Sequence, residues 1–150
     1  MLKSGLSAFL KNRKSGSTNK ILINVPSEIK YIKKVSSGVL ASLKAHNVRD
    51  DKAFEIKLCL EEAVRNAIVH GNHSDRKLSV RISYKIDGGR IEIDVEDEGK
   101  GFDHKALPDP TKSDNLMKNC GRGVYIIKKM MDKAEFNETG NKLTMTKNLK

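Results

Sequence analysis

LSVRISYKIDGGRIEIDVE, residues 78–96, is the stretch that decides the fold. Leu78, Val80, Ile82, Tyr84 and Ile86 alternate with Ser79, Arg81, Ser83 and Lys85. Ile91, Ile93 and Val95 then alternate with Glu92, Asp94 and Glu96. A period of two marks strands with one buried and one wet face. Asp87-Gly88-Gly89 between the runs predicts a tight hairpin turn, because glycine reaches positive φ at little cost. An antiparallel sheet covered on one side is the expectation.

The flanks switch to helical spacing. Upstream, Asp50 or Asp51 is expected to cap a helix from about Ala53 to His70, with Gly71 as its stop. Before it, Ser27 reads as the N-cap of a helix carrying Ile29, Ile32, Val35, Val39 and Leu43 and ending near His46–Asn47. A short strand, Lys20–Val25, precedes that helix and is closed by Pro26. Downstream, the pattern stops after Gly99 and Gly101, and residues 102–120, with Pro108 and Pro110, read as a long loop. Val124–Met131 is a helix opening at Gly121-Arg122-Gly123. Strands at Ala134–Asn137 and Lys142–Thr146 follow, joined by Thr139-Gly140-Asn141. The order β-α-α-β-β-loop-α-β-β predicts an α+β, two-layer sandwich, with helices on one face of a mixed, mostly antiparallel sheet.

Composition bounds the function classes. The 150 residues carry a net charge of +10, are 37% hydrophobic and contain no Trp. That length suits a single domain, read as residues 20–150, after a basic and flexible N-terminal tail at 1–19. No apolar run approaches the roughly 20 residues of a membrane span. The N-terminus lacks the apolar core of a secretory signal, and Cys59 and Cys120 have neither disulfide-framework nor metal spacing. A cytoplasmic protein is expected. The charge is uneven: +8 over residues 1–52, −3 over 53–103 and +5 over 104–150. A basic balance suggests nucleic acid or another anionic partner.

The acidic middle third holds most of the residues suited to chemistry. Glu62 and Asn66 lie one helical turn apart and share a face. A carboxylate serves as a general base, and an amide oxygen is a hard ligand suited to Mg²⁺. Asp97-Glu98-Gly99-Lys100-Gly101 follows a strand, where a carboxylate can accept a hydrogen bond from the amino group of a base. Gly121-Arg122-Gly123 opens a helix whose N–H groups suit phosphate, with Arg122 adding charge. Each piece alone also fits a bland reading: a polar stripe, an acidic turn, a common glycine pair. His70-x-x-His73 lacks the further ligands of a zinc site. Tyr31, Tyr84, Tyr125, Phe54, Phe102 and Phe136 are scattered and read as core packing rather than a stacking platform.

Together the three pieces resemble the nucleotide-binding fold of the GHKL ATPase superfamily, shared by gyrase and histidine kinases. Glu62-x-x-x-Asn66 with His70-Gly71 has the form EAVxNAxxHG, Asp97-x-Gly99-x-Gly101 is similar to the second motif, and Gly121-x-Gly123 to the third. The wording GRGxxxIxxxMD at Gly121–Asp132 resembles the anti-sigma factor serine kinases, and the likeness covers about residues 20–148. The resemblance implies a Bergerat-type ATP site. Asn66 would bind Mg²⁺, Asp97 would bond the adenine amino group, and Gly99 and Gly101 would shape the pocket. Gly121, Arg122 and Gly123 would face the phosphates, residues 102–120 would form a lid, and Glu62 would activate the attacking hydroxyl. The activity implied is an ATP-dependent protein-serine kinase that phosphorylates a small antagonist protein, sequesters a sigma factor and acts as a homodimer. Two departures stand out. Asn141 follows Gly140 where the family often has Thr, with Thr144 further on, and the lid has no clear glycine run. A nucleotide-binding switch module without kinase activity, another GHKL relay, and a basic nucleic-acid-binding domain are the alternatives.

Overall fold

The computed structural model describes residues 10–15, 18–101 and 119–150. In chain order its elements are β1 (Leu10–Ser15), β2 (Thr18–Pro26), a 3-10 turn (Ile29–Tyr31), α1 (Ile32–Ala45) and α2 (Asp50–Asn66). A π-helical turn (Ala67–Gly71) follows, then β3 (Ser79–Asp87), β4 (Arg90–Glu96), α3 (Asn119–Met130), β5 (Lys133–Phe136) and β6 (Lys142–Asn148). The strands form one sheet in the order β1-β2-β3-β4-β6-β5, and every pairing is antiparallel.

The hairpin behaves as its alternation dictates. Asp87 pairs with Arg90, and Gly88 and Gly89 turn the chain at φ 59° and 77°. Val80, Ile82, Tyr84, Ile91, Ile93 and Val95 are buried on one face, joined there by Ile23, Val25, Leu143 and Met145 of the neighbouring strands. The helices cover that face with Val35, Val39 and Leu43 of α1, Ile56, Leu60 and Val64 of α2, and Ile127 of α3. α2 packs between α1 and α3. The other face is polar but not simply wet. Asp94 is only 9% exposed, because it accepts from Thr144 Oγ1 at 2.7 Å and lies 3.7 and 4.0 Å from the ammonium groups of Lys20 and Lys142.

Several boundaries differ from the sequence expectation. The sheet reaches into the segment read as a tail. β2 starts at Thr18, and Leu10–Ser15 pairs with it from Leu10↔Ile23 to Ser15↔Thr18. The stretch LKNRKS shows no alternation, and lysines are what an edge strand tolerates, so periodicity does not reveal it. Ser27 is not a helix cap. Its hydroxyl donates to Leu78 O at 2.7 Å, and α1 begins only after the 3-10 turn. Asp50 and Asp51 lie inside the first turn of α2, where they favour the helix dipole, with Arg49 at the N-cap. α2 ends at Asn66 rather than His70, and its continuation widens into the π-helical turn. α3 starts at Asn119, two residues before the glycine pair expected to open it. Residues 102–118, most of the expected loop, lie outside the described residues.

Leu60 is fully buried at the centre of α2, whereas Phe54 on the same helix is 59% exposed. Leu60→Ala should cost about 3 kcal/mol in chemical denaturation, and Phe54→Ala should stay within about 0.5 kcal/mol.

Candidate functional site

The π-helical turn at the end of α2 sets the first contact of the site. It brings Gly71 against the end of β4, where a Cβ on residue 71 would lie 2.3 Å from Asp97 Cγ and Oδ2. The carboxylate thus occupies space that any side chain at 71 would take. A Cβ on Gly99 would in turn lie 2.1 Å from Gly71 O, so the backbone after β4 doubles back onto the same turn. Gly101 closes the third side. It sits at φ 78°, with a would-be Cβ 1.8 Å from Thr139 O, a position open only to glycine.

Asp97 is half-buried, and its environment is specific. Burial pushes its carboxyl above the ordinary value of 3.8 and the Gly99 N–H opposes that shift; the Glu96 charge adds a smaller push upward and His73 a smaller pull downward. Oδ1 accepts the Gly99 N–H at 2.8 Å. The peptide is held as firmly as the side chain. Asp97 N–H donates to Asn141 O at 2.9 Å, and Asn141 Nδ2 reaches Asp97 O at 3.4 Å. Asn141 is itself fixed by Asn137, whose Oδ1 accepts the N–H groups of Gly140, Asn141 and Lys142 at 2.8, 3.0 and 3.2 Å. Asn137 Nδ2 also donates to Asn141 Oδ1 at 2.7 Å.

Glu62 and Asn66 meet α3. A Cβ on Gly123 would lie 2.9 Å from Glu62 Oε2 and 3.1 Å from Asn66 Nδ2, so the glycine lets the helix backbone press on both side chains. Glu62 Oε1 accepts from Arg65 Nη1 at 3.1 Å. The neighbouring Glu61 points the other way and accepts the Ser36 hydroxyl of α1 at 3.0 Å. One carboxylate of the pair therefore joins two helices, and the other faces the site. Gly121 and Arg122 fall in the first turn of α3, where N–H groups have no intrahelical acceptor. Gly123 comes one residue later and serves as the point of contact.

These segments enclose an open cleft between the helices and the end of the sheet. Ala63, Ala67, Val95, Val124, Phe136 and Leu143 form apolar walls, and Asn66, His70, Asp97 and Asn141 supply polar groups. Of the expected residues, Asn66, Asp97 and Gly101 line it directly. Glu62 and Gly123 stand beside Asn66, and Gly99 backs Asp97. Gly121 and the exposed Arg122 sit at the start of α3. Phe136 packs against the core, as expected, and also walls the cleft, and Asn141, which stands where the family often has Thr, lines it. The apolar walls carry no signal of their own in the sequence, because their spacing is that of ordinary core residues. No group of three His, Cys, Asp or Glu side chains that could hold a metal occurs among the described residues. The Asn66 amide oxygen on the cleft wall is a hard donor of the kind Mg²⁺ takes beside a ligand's own oxygens.

Comparison with known proteins agrees with this geometry. The family model of the histidine kinase-like ATPase domain matches residues 25–147. An anti-sigma F factor of Oceanobacillus iheyensis is 36% identical over 105 residues, covering 66% of this chain and 71% of that protein. The serine-protein kinase RsbW of Staphylococcus aureus is 23% identical over 138 residues, 87% of each chain. Among solved structures, one of the RsbU and RsbW domains of a Mycobacterium tuberculosis protein superposes with a TM-score of 0.60 at 18% identity. The match covers 86% of this chain and 31% of that one, a likeness of fold. With residues 25–147 matched by the family model and a two-layer α+β sandwich to go with it, the chain belongs to the histidine kinase-like ATPase domain family.

Proposed function

We propose that this chain is an ATP-dependent protein-serine kinase of the anti-sigma factor type, with Asp97 selecting the adenine ring. The observation that carries this reading is a lone half-buried carboxylate held at the end of β4 by Gly99 N–H and Asn141, inside a cleft with apolar walls. An ionised carboxylate there accepts a hydrogen bond from an exocyclic amino group, while Val95, Phe136 and Leu143 take the flat ring. Asn66 would hold Mg²⁺, which would supply charge neutralisation for the phosphates. The first turn of α3, with Gly121 and Arg122, gives the phosphates N–H donors and a guanidinium, and Gly123 keeps the helix close to Glu62 and Asn66.

Glu62 is the proton acceptor in this scheme. A serine hydroxyl from the partner gives its proton to the Glu62 carboxylate, and its oxygen bonds to the γ-phosphorus. The bond from that phosphorus to the bridging oxygen breaks, and ADP leaves with the electron pair. Placement and charge neutralisation supply most of the effect in such transfers. The names of the relatives, an anti-sigma factor and a serine-protein kinase, support a sigma factor and a serine-bearing protein as partners; a small antagonist as that protein, a homodimer of this chain and a cytoplasmic setting complete the proposal. Among the described residues no helix is long and apolar enough to cross a membrane. The +10 charge suits acidic protein partners as well as the nucleotide. One observation favours a second reading, a nucleotide-dependent switch without phosphotransfer: the Arg65 guanidinium already engages Glu62.

Asp97→Asn should weaken Mg·ATP binding about 10- to 100-fold in titration calorimetry, the loss of a hydrogen bond to a charged group. The same variant should melt no lower than the parent at neutral pH, because it removes a carboxylate whose charged form is disfavoured by burial. Burial raises the Asp97 carboxyl, so ATP affinity should fall on acidification at a pH above the ordinary value of 3.8. A profile flat down to about pH 4 would sink the assignment. Glu62→Ala should lower phosphotransfer to the antagonist about 10²- to 10⁴-fold while leaving ATP binding in place. An unchanged transfer rate would refute the base assignment, and binding without transfer in the parent protein would establish the switch.

A further inference from the structure

Behind Asp97, outside the cleft, lies a closed ring of hydrogen bonds. Asn72 is 1% exposed and follows the π-helical turn directly. Its Nδ2 donates to Ser79 O at 3.0 Å and to Ser27 Oγ at 2.8 Å, and its Oδ1 accepts the Glu98 N–H at 2.8 Å. Glu98 Oε2 accepts the Ser79 N–H at 2.6 Å, which completes the circuit Asn72–Ser79–Glu98. The ring is anchored on both sides. Asn72 N–H donates to Ala67 O at 2.8 Å, and Ser27 joins it to Leu78 O. Both donors and the acceptor of the Asn72 amide are used, and no other neutral side chain of that length offers all three.

We propose that Asn72 and Glu98 are positioning residues for base selection: the ring fixes the Asp97–Glu98 peptide against Gly71 and so sets where the Asp97 carboxylate meets the base. The inference rests on the reading of Asp97 as the adenine-selecting group. Asn72 immediately follows Gly71, and Glu98 immediately follows Asp97, so the ring locks the two residues that touch at 2.3 Å if a Cβ is placed on the glycine. Neither Asn72 nor Glu98 lines the cleft. Their effect on a ligand passes through Asp97.

The chemistry of the two purines makes this position readable. Adenine carries an amino donor where guanine carries a carbonyl acceptor. A carboxylate fixed at that point rewards the first and repels the second, and a shift of about 0.5 Å blunts both effects. The ratio of ATP to GTP affinity therefore reports the placement of Asp97. A loss of folded protein lowers both affinities together and leaves the ratio alone.

Mg·ATP and Mg·GTP dissociation constants should be measured by calorimetry for the parent chain, Asn72→Ala, Glu98→Ala and Glu98→Gln. Glu98 is exposed, so its variants keep the core intact. The preference for ATP should fall about tenfold in Asn72→Ala and Glu98→Ala, through weaker ATP binding. Glu98→Gln should retain it, because the amide oxygen still accepts the Ser79 N–H. A preference unchanged in both alanine variants would overturn the positioning role. A parent chain that binds ATP and GTP equally would instead overturn the reading of Asp97, and the two failures are distinct.

Discussion

The site depends on one steric constraint: the Asp97 carboxylate sits where a side chain on residue 71 would be. The contact requires a glycine at 71, a helix end that brings residue 71 to the sheet, and a strand end rigid enough to hold a half-buried charge. The π-helical turn supplies the second. The third comes from β4, which runs between β3 and β6 and buries Ile91, Ile93 and Val95 completely or nearly so. A carboxylate raised by burial is a local cost to the fold. It is borne by a central, well-buried strand of the sheet, as expected where a site must be held in one geometry.

The same contact explains which parts of the molecule were legible in the sequence. The β3–β4 hairpin follows from its alternation because each face has a single environment. The core face of α2 follows from spacing for the same reason, and Glu62, Asn66 and Asp97 follow from residue type at turn-sized intervals. The π-helical turn does not. Ile68 is fully buried in the π-helical turn, and over five residues apolar spacing does not separate α from π winding. Spacing already sets Glu62 on the face of Asn66, and the flanking helices show what each glutamate meets: Ser36 for Glu61 and Gly123 for Glu62. Asn72 carried no signal at all, since its partners at 27, 79 and 98 are remote in sequence.

Charge distribution sharpens the same point. The bulk value of +10 suggests an anionic partner, yet the described ion pairs are local. Lys20 and Lys142 gather around Asp94, Arg81 meets Glu96 at 3.2 Å, and Lys147 meets Glu55 at 2.9 Å while donating to Met130 O. Lys147 is 7% exposed, so that cation spends its charge on closing the end of α3 against α2 and β6. Most exposed pairs of this kind contribute little to stability. The contacts of Lys20, Lys142 and Arg81 neutralise the open sheet face, while Asp97 is the carboxylate that lines the cleft.

Around that charge the chain uses amides. Asn137 ties the β5–β6 turn, Asn141 joins that turn to the Asp97 peptide, Asn72 holds the Glu98 N–H, and Asn66 stands on the cleft wall. An amide donates and accepts without carrying charge, so each bond is made without adding to the electrostatic load on a carboxylate already disfavoured by burial. A Lys or Arg in the same places would pair with Asp97 and compete for the oxygen that a base must reach. Another Asp or Glu would push its carboxyl further toward the neutral form, which no longer presents two acceptor oxygens. Neutral polar supports thus fix one half-buried anion in place while leaving it free to accept a hydrogen bond.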